Sequence, residues 1–423
     1  MRIQQILKEV LEKIRPPKED MDFIKNSLEE FVKKVENRKK KFGVAVEIFI
    51  GGSYAKKTLI RKGKYDIDIF LRFDKRYTKE NLSKLTEKIL KGTGKIKKVH
   101  GSRDYFQIYI SPSLFFEVVP VLKVNKTKDA QNITDLSYSH VEYINKKIKS
   151  KKLLQEIMLG KAFCYATNCY GAESYINGFS GYSLELLIYH YRSFLKFLKN
   201  ISKIKDKEII DIEKLHKKKQ NVLMNLNSSK LQSPIILIDP TYKQRNALAA
   251  LSQETFNDFQ NECRKFLKNP SLNLFEKRKI NEILLKQKAK EKKLEFVAIN
   301  AKTDKQAGDI AGSKLFKFYR HITKEIKEYF EIKEKYFEYL GEDKGLYVFL
   351  VKSKKERIIS GPFVEDKTNV KMFKKKHKNT FTKKDKIYAR EKINFTIKES
   401  FKNWEIDNSK KIMDMGIICL EFN

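Results

Sequence analysis

The stretch Ile50-Gly51-Gly52-Ser53-Tyr54-Ala55-Lys56-Lys57-Thr58, followed by Tyr65-Asp66-Ile67-Asp68-Ile69, decides how this chain is read. Tyr65–Phe73 (YDIDIFLRF) has the composition of a strand. Asp66 and Asp68 stand two residues apart, so both point to one face, while Ile67 and Ile69 point to the other, into a core. Two carboxylates side by side repel unless a cation lies between them, and hard oxygen ligands at this spacing suit Mg²⁺. Alone, the pair also describes a solvated edge strand. The loop before it tips the balance. Gly51-Gly52-Ser53 follows a strand over Val44–Ile50 and opens a short helix, and glycines let a backbone approach closely. Free N–H groups, a hydroxyl and Lys56 together suit an anionic phosphate.

A third acid extends the pattern. Glu117 is the only charge in Leu114-Phe115-Phe116-Glu117-Val118-Val119-Pro120-Val121-Leu122. An unpaired carboxylate in a buried strand is costly, so Glu117 calls for a metal or a basic partner. Three acids on neighbouring strands beside a phosphate loop describe a two-metal phosphoryl-transfer site. Asp104, near the start of the preceding strand, is the next acid in line.

Outward from this core, the first 42 residues read as two amphipathic helices. Ile3, Ile6, Leu7, Val10, Leu11 and Ile14 form one stripe, closed by Pro16-Pro17; Ile24, Leu28, Phe31, Val32 and Val35 form the second. A helix over 79–90 and a strand over Phe106–Ile110 complete a mixed module of about 150 residues. From 151 to 270 the pattern is mostly helical, with helices over Ile157–Cys169, Ser183–Leu198 and Glu254–Leu267. The polar stretch 199–230 reads as a surface loop with helical pieces, and Ser233–Asp239 is a short apolar run. From 271 onward, strands over Leu294–Ile299, Leu346–Lys352 and Ile417–Phe422 alternate with a helix over Lys314–Phe330. Three domains are expected: 1–150, 151–270 and 271–423.

The chain has 423 residues, with 90 Lys+Arg against 53 Asp+Glu and a net charge of +37. Such a field attracts a polyanion. It is carried by 76 Lys and 14 Arg, a bias that an AT-rich genome produces as readily as function does. Asp366–Arg390 holds ten Lys or Arg against two acids, with Phe373, Phe381 and Tyr388 between them. This suits backbone contact plus base stacking, or else a solvated basic face. No apolar run reaches the length of a membrane span, and the N-terminus lacks a signal core, so a cytoplasmic setting is expected. Cys164, Cys169, Cys263 and Cys419 are irregularly spaced, as reduced thiols are.

A glycine-serine loop, a D-x-D strand and a third acid together resemble the DNA polymerase β-like nucleotidyltransferases. Further segments narrow the likeness to the archaeal (class I) CCA-adding enzymes. They are Glu117-Val118-Val119-Pro120, Thr134–His140, Tyr170-Gly171-Ala172-Glu173, Gly178-Phe179-Ser180-Gly181-Tyr182, Ser233-Pro234-Ile235 with Asp239-Pro240, Gln244–Ser252, and Gly361-Pro362 with Tyr388-Ala389. The resemblance implies an α+β chain: a polymerase β-like head with a mixed sheet, a helical central domain and an α+β C-terminal part that binds tRNA. It implies addition of C, C and A to the tRNA 3′ end from CTP and ATP, without a nucleic-acid template, by a Mg²⁺-dependent homodimer. Asp66, Asp68 and Glu117 would bind the metal and carry catalysis. Ser53 and Lys56 would hold the triphosphate; His140, Lys161 and Tyr170 would contact the nucleotide; Arg245 would sit at the base edge. The chain departs from the family in carrying Lys56 for the usual Arg and Glu117 for the usual Asp, and in a slightly long gap between His140 and Lys161. Two rival functions remain at this point: another polymerase β-like RNA nucleotidyltransferase, of the poly(A) or oligoadenylate type, and a non-catalytic RNA-binding protein.

Overall fold

The computed structural model describes residues 2–101, 103–124, 127–277 and 279–423. These fall into two compact units, 1–278 and 279–423. Among the described residues, no helix is long and apolar enough to cross a membrane.

The first unit opens with α1 (Arg2–Ile14) and α2 (Lys18–Lys41), parted at the expected prolines. Next come β1 (Val46–Ile50), the single turn α3 (Gly52–Ala55), β2 (Tyr65–Phe73), α4 (Lys79–Leu90), β3 (Lys95–Val99), β4 (Tyr105–Ser111) and β5 (Leu114–Leu122). The five strands form one mixed sheet in the order β1-β2-β5-β4-β3. Only the β2–β5 pair is parallel. Its register sets Asp68 opposite Glu117 and Asp66 opposite Phe115. The alternate residues Ile67, Ile69, Phe116 and Val118 are fully buried against Ile24, Phe31 and Val35 of α2. One face of the sheet is therefore a closed core, and the other carries the acids.

The helices follow: α5 (Ser137–Lys147), α6 (Lys151–Ala166), α7 (Gly181–Tyr191) and α8 (Phe194–Ile201). Then come β6 (Glu208–Ile210), α9 (Lys219–Asn225), β7 (Ile235–Asp239), β8 (Tyr242–Asn246) and α10 (Gln253–Lys268). The helix expected over Ser183–Leu198 is two helices. Arg192 adopts a left-handed φ of 68°, and the Ser193 hydroxyl caps α8 by accepting from Lys196 N–H. A second core, rich in Phe163, Phe179, Phe194, Phe197, Phe259 and Phe266, joins α6, α7, α8 and α10. The stripe of α1 (Ile6, Leu7, Val10) packs into this second core and not into the one under the sheet.

The second unit comprises α11 (Glu282–Glu291), β9 (Glu295–Thr303), α12 (Asp309–Tyr329), β10 (Phe330–Gly341), β11 (Lys344–Ser353) and β12 (Glu356–Phe363). It continues with α13 (Lys367–Lys376), β13 (Thr380–Lys383), β14 (Lys386–Lys392), α14 (Ile397–Asp407), α15 (Ser409–Asp414) and β15 (Ile417–Phe422). A four-stranded antiparallel sheet, β10-β11-β9-β15, packs on α12, and a three-stranded sheet, β12-β14-β13, carries the basic segment.

Candidate active site

The glycine loop is docked onto the acidic strand. Gly51 N–H donates to the Asp68 carbonyl at 2.9 Å. Gly52 has φ +59°, and a side chain there would place its Cβ 1.6 Å from Asp68 Oδ2. Only glycine fits, both for its backbone angle and because the carboxylate occupies the space. The Asn145 amide on α5 donates to the Ala55 carbonyl at 3.3 Å and ties the end of α3 to the helical layer.

On the open face of β2 and β5, Asp66, Asp68 and Glu117 share one side. Burial, then the neighbouring charge of Asp66, pushes Asp68 up to about 6. Burial, then Asp68 and Asp66, pushes Glu117 up to about 8. Lys62 lies 2.6 Å from Asp66 Oδ1, and its charge also works against both rises. Among the described residues, no three His, Cys, Asp or Glu side chains stand gathered into a metal site, and Asp66 is turned to Lys62. The donor set nevertheless fits a divalent cation. It consists of hard oxygens on one face, two of them half-buried and mutually repelled, with an ammonium already drawn to the third. Asp104 belongs elsewhere: its carboxylate accepts from Ser83 Oγ at 2.6 Å and faces His100 and Lys98.

Next to the acids lies a buried ion cluster. Glu185 on α7 has no exposed surface. Its Oε2 accepts from Lys56 Nζ at 2.6 Å, and its Oε1 accepts from Lys161 Nζ at 2.7 Å and Thr58 Oγ1 at 3.1 Å. Lys161 also donates to Thr58 Oγ1 at 2.6 Å. Burial raises Glu185, but Lys161 and Lys56 outweigh it and hold it below the usual carboxylate value. The charges of Lys56 and Lys161 also reach Asp68, so this cluster and the acids adjoin. Tyr170 joins them: burial raises its hydroxyl, helped by Glu185, Asp66 and Asp68. Gly181 makes room for it, since a Cβ there would meet the Tyr170 hydroxyl at 2.8 Å. Gly178 likewise permits the loop, because its Cβ would strike the Cys169 carbonyl at 2.1 Å.

A third cluster centres on Asp239, at the end of β7. It gathers His140, Tyr182, Thr241 and Arg245. The charge of Lys56 reaches His140, which links this group to the second cluster.

The structure therefore brings Asp66, Asp68, Glu117, Lys56, Lys161 and Tyr170 into one neighbourhood, with His140 and Arg245 in an adjoining one. Ser53 sits half-buried in α3, its carbonyl accepting from Thr58 N–H at 2.9 Å. Sequence reasoning missed Glu185, Thr58 and Asp239 as site residues. Glu185 was open to the argument applied to Glu117, being the only acid in Gly181–Tyr191, an otherwise apolar helix.

Comparison with known proteins adds two family profiles and a set of relatives. The profile described as tRNA nucleotidyltransferase, second domain, matches residues 155–276. That of the Second Messenger Oligonucleotide or Dinucleotide Synthetase domain matches residues 1–148. The chain is 41% identical over 246 residues to the CCA-adding enzyme of Nanoarchaeum equitans, a match covering 58% of this chain and 60% of that protein. It is 30% identical over 405 residues to the CCA-adding enzyme of Methanocaldococcus jannaschii, covering 92% of this chain and 87% of that one. Among solved structures, the Cid1 poly(U) polymerase bound to MgATP shares the fold, with a TM-score of 0.52 at 12% identity over 65% of this chain and 98% of that one.

Proposed function

Since the chain belongs to the archaeal CCA-adding enzyme family, we propose that it completes and repairs the 3′ CCA end of tRNA from CTP and ATP, without a nucleic-acid template. The observation that carries this reading is the Asp68–Glu117 pair across β2 and β5, with the Gly52 backbone pressed onto Asp68. A glycine loop held against half-buried acids is a place for phosphates and cations together.

In this reading the tRNA 3′-hydroxyl attacks the α-phosphate and pyrophosphate leaves. Asp66, Asp68 and Glu117 would hold Mg²⁺, whose chemistry is Lewis-acid stabilisation of phosphoryl oxygens and a more acidic 3′-hydroxyl. Ser53, Lys56, Lys161 and Tyr170 receive the triphosphate and hold it for attack, where positioning and electrostatics supply most of the rate. His140 contacts the nucleotide and Arg245 meets the base edge. Residues 1–150 act as the catalytic domain and 151–270 as the nucleotide and tRNA domain. Residues 271–423 grip tRNA by its phosphates and shape, and the working form is a homodimer.

The test is incubation with Mg²⁺, labelled CTP or ATP, and tRNA lacking its CCA end. CTP-then-ATP incorporation that stops at CCA is expected. Open-ended addition of A alone would identify a poly(A)-type enzyme, and tRNA binding without incorporation an RNA-binding protein. Asp68→Asn should bind tRNA as well as wild type and incorporate nothing.

A further inference from the structure

Asp239 has no exposed surface, yet its carboxylate accepts from side chains or backbone of four residues on separate elements. Oδ1 accepts from the Tyr182 hydroxyl at 3.0 Å and from Thr241 N–H and Oγ1, each at 2.8 Å. Oδ2 accepts from Arg245 NH1 at 2.6 Å and faces His140 Nε2 at 3.1 Å. A carboxylate offers only acceptors, so the His140 proton sits on Nε2 and its tautomer is fixed. Burial raises Asp239, but His140 and Arg245 outweigh it and hold it well below the usual carboxylate value. The group is therefore an anion at neutral pH.

Around this anion three side chains are packed in a set order. The His140 ring lies on Tyr182, centroids 4.0 Å apart and 22° from parallel, and the Arg245 guanidinium stands 5.9 Å from the other ring's centroid, that of Tyr182. Arginine carries five N–H donors in a rigid fork. Anchoring one terminal nitrogen fixes the direction of the rest. A long, flexible side chain held this way loses less freedom when it meets a base, and it presents one donor pattern only.

We propose that Asp239 is a positioning residue for base choice, setting the orientation of Arg245 and the tautomer of His140 through one carboxylate. The proposal rests on Arg245 as the base-edge group. It assigns base discrimination to a buried acid that touches no substrate. If Asp239 served only to close the β7–β8 turn through Thr241, its loss would loosen the unit without altering which nucleotide is preferred.

The experiment compares kcat/KM for CTP and UTP on tRNA lacking its CCA end, in wild type, Asp239→Asn, Arg245→Ala, the double variant and Thr241→Val. Competitive inhibition by inorganic triphosphate is read alongside. Asp239→Asn should lower the preference for CTP over UTP by about tenfold or more, since hydrogen-bonded sites discriminate strongly. Its triphosphate inhibition should stay within about threefold of wild type, well below that expected change in preference. Adding Asp239→Asn to Arg245→Ala should change the preference no further, and Thr241→Val should leave it as in wild type. An unchanged preference in folded Asp239→Asn, with Arg245→Ala impaired, overturns the proposal and leaves the role of Arg245 standing. An unchanged preference in both variants overturns the role of Arg245 itself, and the proposal with it. A Thr241→Val loss equal to that of Asp239→Asn also overturns the proposal, because the turn alone then accounts for the effect. If Asp239→Asn does not fold, Asp239→Glu carries the test. It keeps the charge, displaces the anchor by one methylene, and is read by the same outcomes.

Discussion

Replacing Glu185 by Gln leaves two buried lysines without their counter-charge. Lys56 and Lys161 are 7% and 2% exposed and Glu185 is 0% exposed, with both ammonium groups within 2.7 Å of its carboxylate. Removing one partner of a buried ion pair costs about 3–5 kcal/mol. Stability changes move the melting temperature by about 2–4 °C per kcal/mol in units of some 150–250 residues. A fall of roughly 10 °C in the melting of residues 1–278 is therefore expected for Glu185→Gln at pH 7. The deficit has a signed pH dependence. Burial already lowers Lys161. Without Glu185 it falls further, so the folded state sheds this proton before the unfolded state does. Stability then rises with pH, and the deficit should narrow as pH climbs from neutrality toward the unfolded lysine value of about 10.4. Triphosphate offers both lysines a new counter-charge. At about 100-fold over its dissociation constant a ligand contributes about 2.7 kcal/mol to wild type, and CTP should raise the melting temperature of the variant by more than that of wild type. Calorimetry with and without CTP reads both quantities. Melting within about 2 °C of wild type, the shift expected from only about 1 kcal/mol, would refute the buried bridge. Equal CTP shifts in the two proteins would show that the lysines do not face the triphosphate.

Three further predictions follow from other parts of the molecule. Glu117→Gln removes charge and keeps shape, and should lower single-turnover incorporation by about 10²–10⁴-fold, while Glu117→Asp keeps measurable activity; normal turnover by Glu117→Gln would remove it from the acidic set. Charge reversal at Lys374, Lys375 and Lys376, in the last turn of α13, should weaken tRNA binding and flatten its dependence on salt, whereas an unchanged slope of log K against log salt would return this helix to a solvated face. At Asp104, burial acts to raise the pKa, but hydrogen bonds from Ser83, His100 and Lys98 prevail and hold it at about 2; being depressed, it lends stability above the unfolded carboxylate value of about 3.9 that is lost as pH falls toward the folded one. The melting difference between wild type and Asp104→Asn should accordingly shrink from pH 5 to pH 3, and a constant difference would contradict this account.

What could be read in advance depended on whether a residue's environment is written in its neighbours. Tyr65–Phe73 and Leu114–Leu122 matched the observed strands end to end, because both are apolar on the core face and bounded by turn residues. Lys95–Val99 (KIKKV) and Phe330–Gly341 (FEIKEKYFEYLG) went unassigned. Both are outer strands of their sheets with charged exposed faces, so their order comes from pairing with β4 and β11 and not from a local apolar signal. The three acids were legible because two share a strand face and the third is alone in an apolar strand. The parallel register that sets Asp68 beside Glu117 was not, since β2 and β5 are joined only through α4, β3 and β4. Asp239 stands in the Asp239-Pro240 motif of the sequence, but its contacts lie 99 residues away at His140 and 57 away at Tyr182, and no local pattern carries those.

The clusters also account for how a lysine can serve at position 56, where an arginine would offer a bidentate fork. At this site the cations are held by acids of the chain itself: Lys56 and Lys161 by Glu185, Arg245 by Asp239, Lys62 by Asp66. On the function proposed above, an incoming triphosphate would exchange partners with these carboxylates. Such an exchange forfeits some affinity but leaves the donors already oriented, the condition under which electrostatic stabilisation of a transition state is most effective. Lys56 gives one of its three donors to Glu185 Oε2, and on the proposed function the others would serve phosphate oxygens. An arginine here could spend two donors in a fork on the same carboxylate. Where Glu185 already fixes the position of the cation, the geometric advantage of a guanidinium is small, and a point charge serves. By the same reasoning Arg245 is the position where lysine would not serve. A base edge is read by a planar donor pattern, and Asp239 fixes the direction of that pattern only because a guanidinium is rigid.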